Sequence, residues 1–249
     1  MRKVIVLIFL FVFVLGFSQN QELFDKANAA YQNGEFEASI SSYEKIIENG
    51  EASAEVYYNL GNAHYKLNNV APSIYYFEKA LQQQPKDEDI QNNIEFARNM
   101  AIDDIDEVEQ TGLSASFGNM ISKYTASGWA IFAIVFSVIF VILFLLYYFS
   151  RSSLQKRLFL GFASLSVIAC IISVIFAFQQ EAYVEDNQYA IIYQEVVEVR
   201  DEPNLRGEPS YELHEGTKAK ILEDFQEWSR IELSNGAQGW VKSQNIRKL

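Results

Sequence analysis

Cysteine is almost missing: Cys170 is the only one, and it falls inside a long apolar run. No intramolecular disulfide can form, and a small apolar packing role suits that thiol better than a redox one. Both flanking polar parts lack cysteine altogether, which suits an oxidising compartment without identifying one. Histidine is nearly as scarce. His64 and His214 have no second histidine or cysteine at ligand spacing, which argues against metal binding. No glycine-rich phosphate loop, Ser-His-Asp set or Cys-His pair occurs, and the many carboxylates form no catalytic pairing. We therefore expect no enzyme activity and no cofactor.

Positive charge is also short. Residues 19–127 carry 18 acids against 7 bases and residues 179–249 carry 14 against 8, within a formal net charge of −12. Such a surface repels phosphate, so nucleic acid is excluded as a partner. The exception is Arg151-Ser152-Ser153-Leu154-Gln155-Lys156-Arg157, with three positive charges and no acid.

That basic loop (150–157) separates two uncharged runs, Gly128 to Phe149 and Leu158 to Phe178. At 1.5 Å per residue they reach about 33 and about 31 Å, enough to cross a hydrocarbon core. We read both as transmembrane helices, and the positive-inside rule puts the loop in the cytoplasm. Both acidic parts are then expected outside, at the periplasmic face of a bacterial inner membrane. The spans hold no Asp, Glu, Lys, Arg or His, so an ion or proton path within this chain is not expected. Trp129, Tyr147 and Tyr148 suit interfacial belts. At the N-terminus, Arg2-Lys3 precede the apolar run Val4 to Phe17 and Gly16-Phe17-Ser18 suits cleavage. Residues 1–18 read as a signal peptide or, uncleaved, as an anchor.

One segment occurs twice. Ser39-Ile40-Ser41-Ser42-Tyr43-Glu44-Lys45-Ile46-Ile47 returns as Ser73-Ile74-Tyr75-Tyr76-Phe77-Glu78-Lys79-Ala80-Leu81, an offset of 34 residues. That period belongs to stacked helix-turn-helix units. Leu23 through Gln32, Phe36 through Glu48, Ala52 through Lys66 and Pro72 through Gln83 read as helices, broken at Asn33-Gly34, Asn49-Gly50 and Asn68-Asn69. Asp87 to Met100 adds an amphipathic helix that would cover the open end of the stack, within a domain spanning residues 19–101.

The stretch Tyr57-Tyr58-Asn59-Leu60-Gly61-Asn62-Ala63-His64-Tyr65-Lys66-Leu67, with Ser73, Phe77, Ala80 and Pro85, closely resembles a tetratricopeptide repeat. The resemblance implies that Gly61 lets paired helices approach while Leu60, Phe77 and Ala80 fill the space between them. It also implies a groove for a partner protein, lined by Phe24, Asn28, Tyr31 and Gln32 and by Tyr58, Asn62, Tyr65 and Lys66. Tyr58 and Tyr65 either line that groove or pack the stack. The carboxylate clamp of some relatives is rejected, because Phe24 and Asp89 stand where it needs cations.

Residues 102–127 form a link to the first span. Asp103, Asp104, Asp106, Glu107 and Glu109 read as a solvated acidic connector. Leu113, Phe117, Ile121 and Tyr124 recur at helical spacing, as on a face that lies in the headgroup layer or packs on the repeats.

From residue 187 the texture changes to short alternating runs, with five strands expected at Ala190–Ile192, Val196–Val199, Ala219–Leu222, Trp228–Leu233 and Gly239–Val241. Val199-Arg200, Pro203, Leu213-His214-Glu215-Gly216-Thr217, Trp228, Arg230-Ile231, Gly236 and Gly239-Trp240-Val241 resemble a bacterial SH3 domain over residues 187–249. That implies a small barrel that binds cell-wall material or protein, with Trp228 and Trp240 on a ligand surface or packed in its core or rim. The expected fold class is multi-domain: all-α tetratricopeptide helical repeats, a two-helix transmembrane hairpin and a C-terminal all-β SH3-like barrel. This module order resembles the BatE-type proteins of Bat aerotolerance systems. The resemblance implies a membrane scaffold whose partners are von Willebrand A-domain proteins and another repeat protein.

Overall fold

The computed structural model describes residues 20–105, 118, 120–206 and 208–249. The expected signal peptide and the connector residues Asp106, Glu107, Glu109, Leu113 and Phe117 lie outside them. The chain divides into two compact units. Residues up to Val108 join with Gln188–Leu249 in one, and Glu109–Asn187 form the other.

In the first unit, α1 (residues 20–32), α2 (Phe36–Glu48), α3 (Ala54–Lys66), α4 (Val70–Gln83) and α5 (Glu88–Arg98) follow in order. Local signals set their ends. Ser53 caps α3 through a bond from the Val56 amide, and Asp87 caps α5 through bonds from the amides of Asp89 and Ile90. Helix α4 starts two residues ahead of Pro72, so the proline sits in the first turn, where a missing N–H costs nothing. Tyr43, Leu60, Ile74, Phe77, Ala80, Ile90 and Ile94 are buried between the helices. A Cβ on Gly61 would meet the Phe77 ring at 2.7 Å, so only glycine lets α3 and α4 approach this closely. Helix α5 contributes Ile90, Ile94 and Ala97 to the same core.

The C-terminal part holds a five-stranded sheet in the order β6-β5-β4-β1-β7 and a β2-β3 hairpin. The strands are β1 (Tyr189–Ile192), β2 (Val196–Val199), β3 (Tyr211–His214), β4 (Lys218–Phe225), β5 (Trp228–Glu232), β6 (Gln238–Lys242) and β7 (Ile246–Lys248). A bridge between Arg200 and Trp240 ties the hairpin to β6. Val197, Val199, Leu213, Ala219, Ile231 and Val241 alternate inward to fill the barrel. Two strands exceed the five expected. Only Leu213 of β3 is buried, which leaves little alternation to read, and β7 is three residues long behind a 3₁₀ turn.

The second unit contains α6 (Ala126–Phe149) and α7 (Ser153–Asp186), both long and apolar enough to cross a membrane. They pack along small residues, where Ser166 Oγ donates to Phe136 O at 2.6 Å and Cys170 Sγ to Ala133 O at 3.4 Å. The basic loop is shorter than expected. Helix α7 begins at Ser153 and takes in Lys156 and Arg157, leaving Ser150–Ser152 between the helices. It also continues past Phe178 to Asp186, because no glycine or proline follows to stop it.

Candidate functional site

One face of α3 carries Tyr58, Asn62, Tyr65 and Lys66 at helical spacing, so these side chains form a single row. With Tyr31, Phe77, Asn93 and Phe96 the row encloses a depression of about 300 Å³. A polar hinge holds its floor: Asn93 Nδ2 donates to Tyr58 Oη and to Asn62 Oδ1, each at 2.8 Å. The Tyr58 ring lies 5.9 Å from that of Phe77. Phe96 forms the lip and is 58% exposed. Burial first, then Tyr58 beside it, raises the Tyr31 phenol above its ordinary value, so that ring stays neutral at physiological pH.

A second depression of about 260 Å³ adjoins the first and shares Tyr58 with it. Its wall is acidic, from Glu55, Asp87 and Asp89.

Of the residues expected in the groove, Tyr31, Tyr58, Asn62, Tyr65 and Lys66 come together. Phe24 and Asn28 face the interior instead. Phe24 packs edge-on against Tyr43 at 5.8 Å, and Asn28 Oδ1 accepts the Tyr43 hydroxyl at 2.5 Å. Sequence periodicity places a residue on a helix face but not the neighbour that claims it. The repeat sequence gave no direct sign of Asn93 and Phe96, since both come from the covering helix.

Helix α4 meets the barrel. Glu78 is 5% exposed, and its carboxylate accepts from Arg98 Nη2 of α5 at 2.8 Å and from Lys218 Nζ of β4 at 2.7 Å. Burial alone would raise its pKa, but Lys218 and Arg98 outweigh that and hold it below the usual range. Gly216 sits at φ 90°, where a Cβ would come within 2.9 Å of Ile74 and Val70, so the turn is pressed onto α4. The Arg247 guanidinium lies 4.3 Å from the Tyr75 ring centre and 5.4 Å from that of Tyr193. Ile191 of β1 is buried within the helical core itself.

The acidic connector is not wholly solvated, contrary to expectation. Asp103 accepts from the His214 amide and from His214 Nδ1, both at 2.7 Å, and from Thr217 Oγ1 at 2.6 Å. Ile105 packs against the barrel core. The expected His214 turn is thus the end of β3, held by a carboxylate more than a hundred residues away. His64 stacks on Tyr76 at 5.4 Å and accepts from Asn69 Nδ2 at 3.2 Å. Burial first, then Arg247, lowers its pKa to about 4.

Trp228 is 4% exposed, which removes it from any ligand surface, because β5 turns that ring inward. Trp240 is half-buried, with its ring 6.5 Å from the exposed Phe225.

The family matches fall on these same two parts. Residues 24–88 match the tetratricopeptide repeat and residues 195–247 the bacterial SH3 domain. The chain carries tetratricopeptide repeats and a bacterial SH3 domain. Comparison with curated proteins yields no match. Repeats of this class support protein binding, and the bacterial SH3 domain supports protein or cell-wall binding. Both domain types are typically non-catalytic. In this chain the SH3 domain packs on α4, on the second helix of a repeat, while the aromatic row belongs to the first helix.

Proposed function

We propose that this chain is a non-catalytic scaffold of the bacterial inner membrane, with both soluble parts on the periplasmic side and a partner protein held in the α3 groove. The carrying observation is the open aromatic row Tyr58, Asn62, Tyr65 and Lys66, backed by a helix pair whose other side is covered by the SH3 domain. The basic stretch Arg151 to Arg157 supports the topology, since an even number of spans returns the chain to the side it left. The order of modules supports a Bat-type aerotolerance complex, in which von Willebrand A-domain proteins and a further repeat protein are the partners.

Affinity purification of the tagged full chain from detergent tests this reading. Stoichiometric membrane proteins are expected with the native chain and lost with Tyr58→Ala and Tyr65→Ala. Undiminished recovery with both variants overturns it.

The exposed Phe225 beside the half-buried Trp240 supports a second reading, in which the SH3 domain grips cell-wall polymer. Sedimentation of the detergent-solubilised chain with purified wall polymer, native against Trp240→Ala, separates the two. The scaffold reading expects no Trp240-dependent pelleting.

A further inference from the structure

The groove has a polarity along α3. Glu55 stands in its first turn and Lys66 at its last residue. Eleven residues at 1.5 Å set them about 16 Å apart along the axis. Asp87 and Asp89, from the start of α5, join Glu55 at the acidic end. Between the ends lies the aromatic depression with Phe96 on its lip, and Tyr58 belongs to both halves. Glu55, Asp89 and Lys66 are exposed, so their charges face whatever enters.

An extended strand rises about 3.3 Å per residue, so about five residues span that distance. Successive side chains alternate, which presents the first, third and fifth to the same surface. The Asn62 and Asn93 amides each keep hydrogen-bonding capacity beyond the bonds they share, enough to meet a peptide backbone.

We infer that the groove takes a short extended segment of a partner protein, read in one direction: a basic side chain against Glu55 and Asp89, a bulky apolar one in the Tyr58–Phe96 depression, and an acidic one beside Lys66. This rests on the groove reading above and adds the partner's chemistry to it. The soluble parts are strongly acidic, so a general attraction of cations is expected across them. Direction, not net charge, is therefore the distinguishing property.

The test uses the full chain in detergent and two fluorescent, acetylated and amidated peptides of about seven residues. In one, lysine, phenylalanine and glutamate occupy alternate positions; in the other, lysine and glutamate are exchanged. The two share composition and net charge. With lysine set at the acidic end, the two run their backbones in opposite senses, and only one sense satisfies the amides together with the charges. The first or the second is thus expected to bind about fivefold or more tighter than its counterpart, a difference that fades with added salt. Glu55→Lys with Asp89→Asn should abolish or invert the preference. Asp87 is left intact because it caps α5, and circular dichroism confirms that the variant is folded. Equal binding of both peptides, still lost in Tyr58→Ala, overturns the polarity while leaving the groove reading standing. Binding of either peptide that is insensitive to Tyr58→Ala, or no binding at all, overturns both.

Discussion

Glu78 on α4 and Lys218 on β4 meet at 2.7 Å, joining two parts of the chain separated by both apolar helices. The carboxylate is buried and shared with Arg98, so removing it takes the carboxylate from Lys218 and leaves Arg98 with Glu95 alone. Glu78→Ala is expected to cost about 3 kcal/mol in unfolding of the purified chain. Lys218→Ala should cost less, because Arg98 still serves the carboxylate.

The same pair sets an acid limit. The folded Glu78 pKa lies below its free value of 4.5, so its contribution is fully present above that pH and is lost as pH falls through the lower folded value. Melting temperature followed from pH 5 downward, at roughly half-unit steps, should fall less steeply in Glu78→Gln than in the native chain.

His64 acts in a higher window. Its pKa falls from 6.5 unfolded to about 4 folded, so the unfolded chain binds the proton first. Its contribution is complete above 6.5 and declines as pH drops toward 4. His64→Phe keeps a ring against Tyr76 and should flatten the melting profile between those values. An unchanged slope would mean that the imidazole is more exposed than described.

Gly61→Ala puts a methyl against the Phe77 ring, at a spacing the packed helices cannot absorb. Urea unfolding should show a loss of about 1–3 kcal/mol. Phe77→Leu in the same chain should recover part of it, giving a non-additive pair.

Asp103 fixes the connector to the SH3 domain through three donors. Asp103→Ala is expected to speed hydrogen exchange at the His214 amide about tenfold or more and to cost about 2 kcal/mol. Thr217→Val should add little on top of it, because both changes break the same contact.

The helical repeats were legible because their signals are local: a 34-residue offset, breaks at Asn33-Gly34 and Asn49-Gly50, and a glycine at the closest approach. The apolar helices were legible from length and the absence of charge. Helical spacing put Tyr58, Asn62, Tyr65 and Lys66 on one face of a helix, but it could not show that Tyr43 bonds Asn28 and packs on Phe24 from another helix. What the sequence hid was long-range. Nothing near Glu78 announces Lys218, and nothing in an acidic run separates Asp103, which is bonded, from a solvated neighbour. Glu78 even sits in the repeated motif at the place of Glu44, which is exposed; only the barrel distinguishes them.

The two soluble parts belong to one compact unit, so the proposed topology requires them to share one side of the membrane. Single cysteines at Glu48→Cys, Glu227→Cys and Ser152→Cys, each in a Cys170→Ser chain, can be exposed to a membrane-impermeant maleimide on intact spheroplasts. Labelling at residues 48 and 227 without permeabilisation, and at 152 only after it, is the expected result. Labelling of 48 and 227 from opposite sides would rule out this topology.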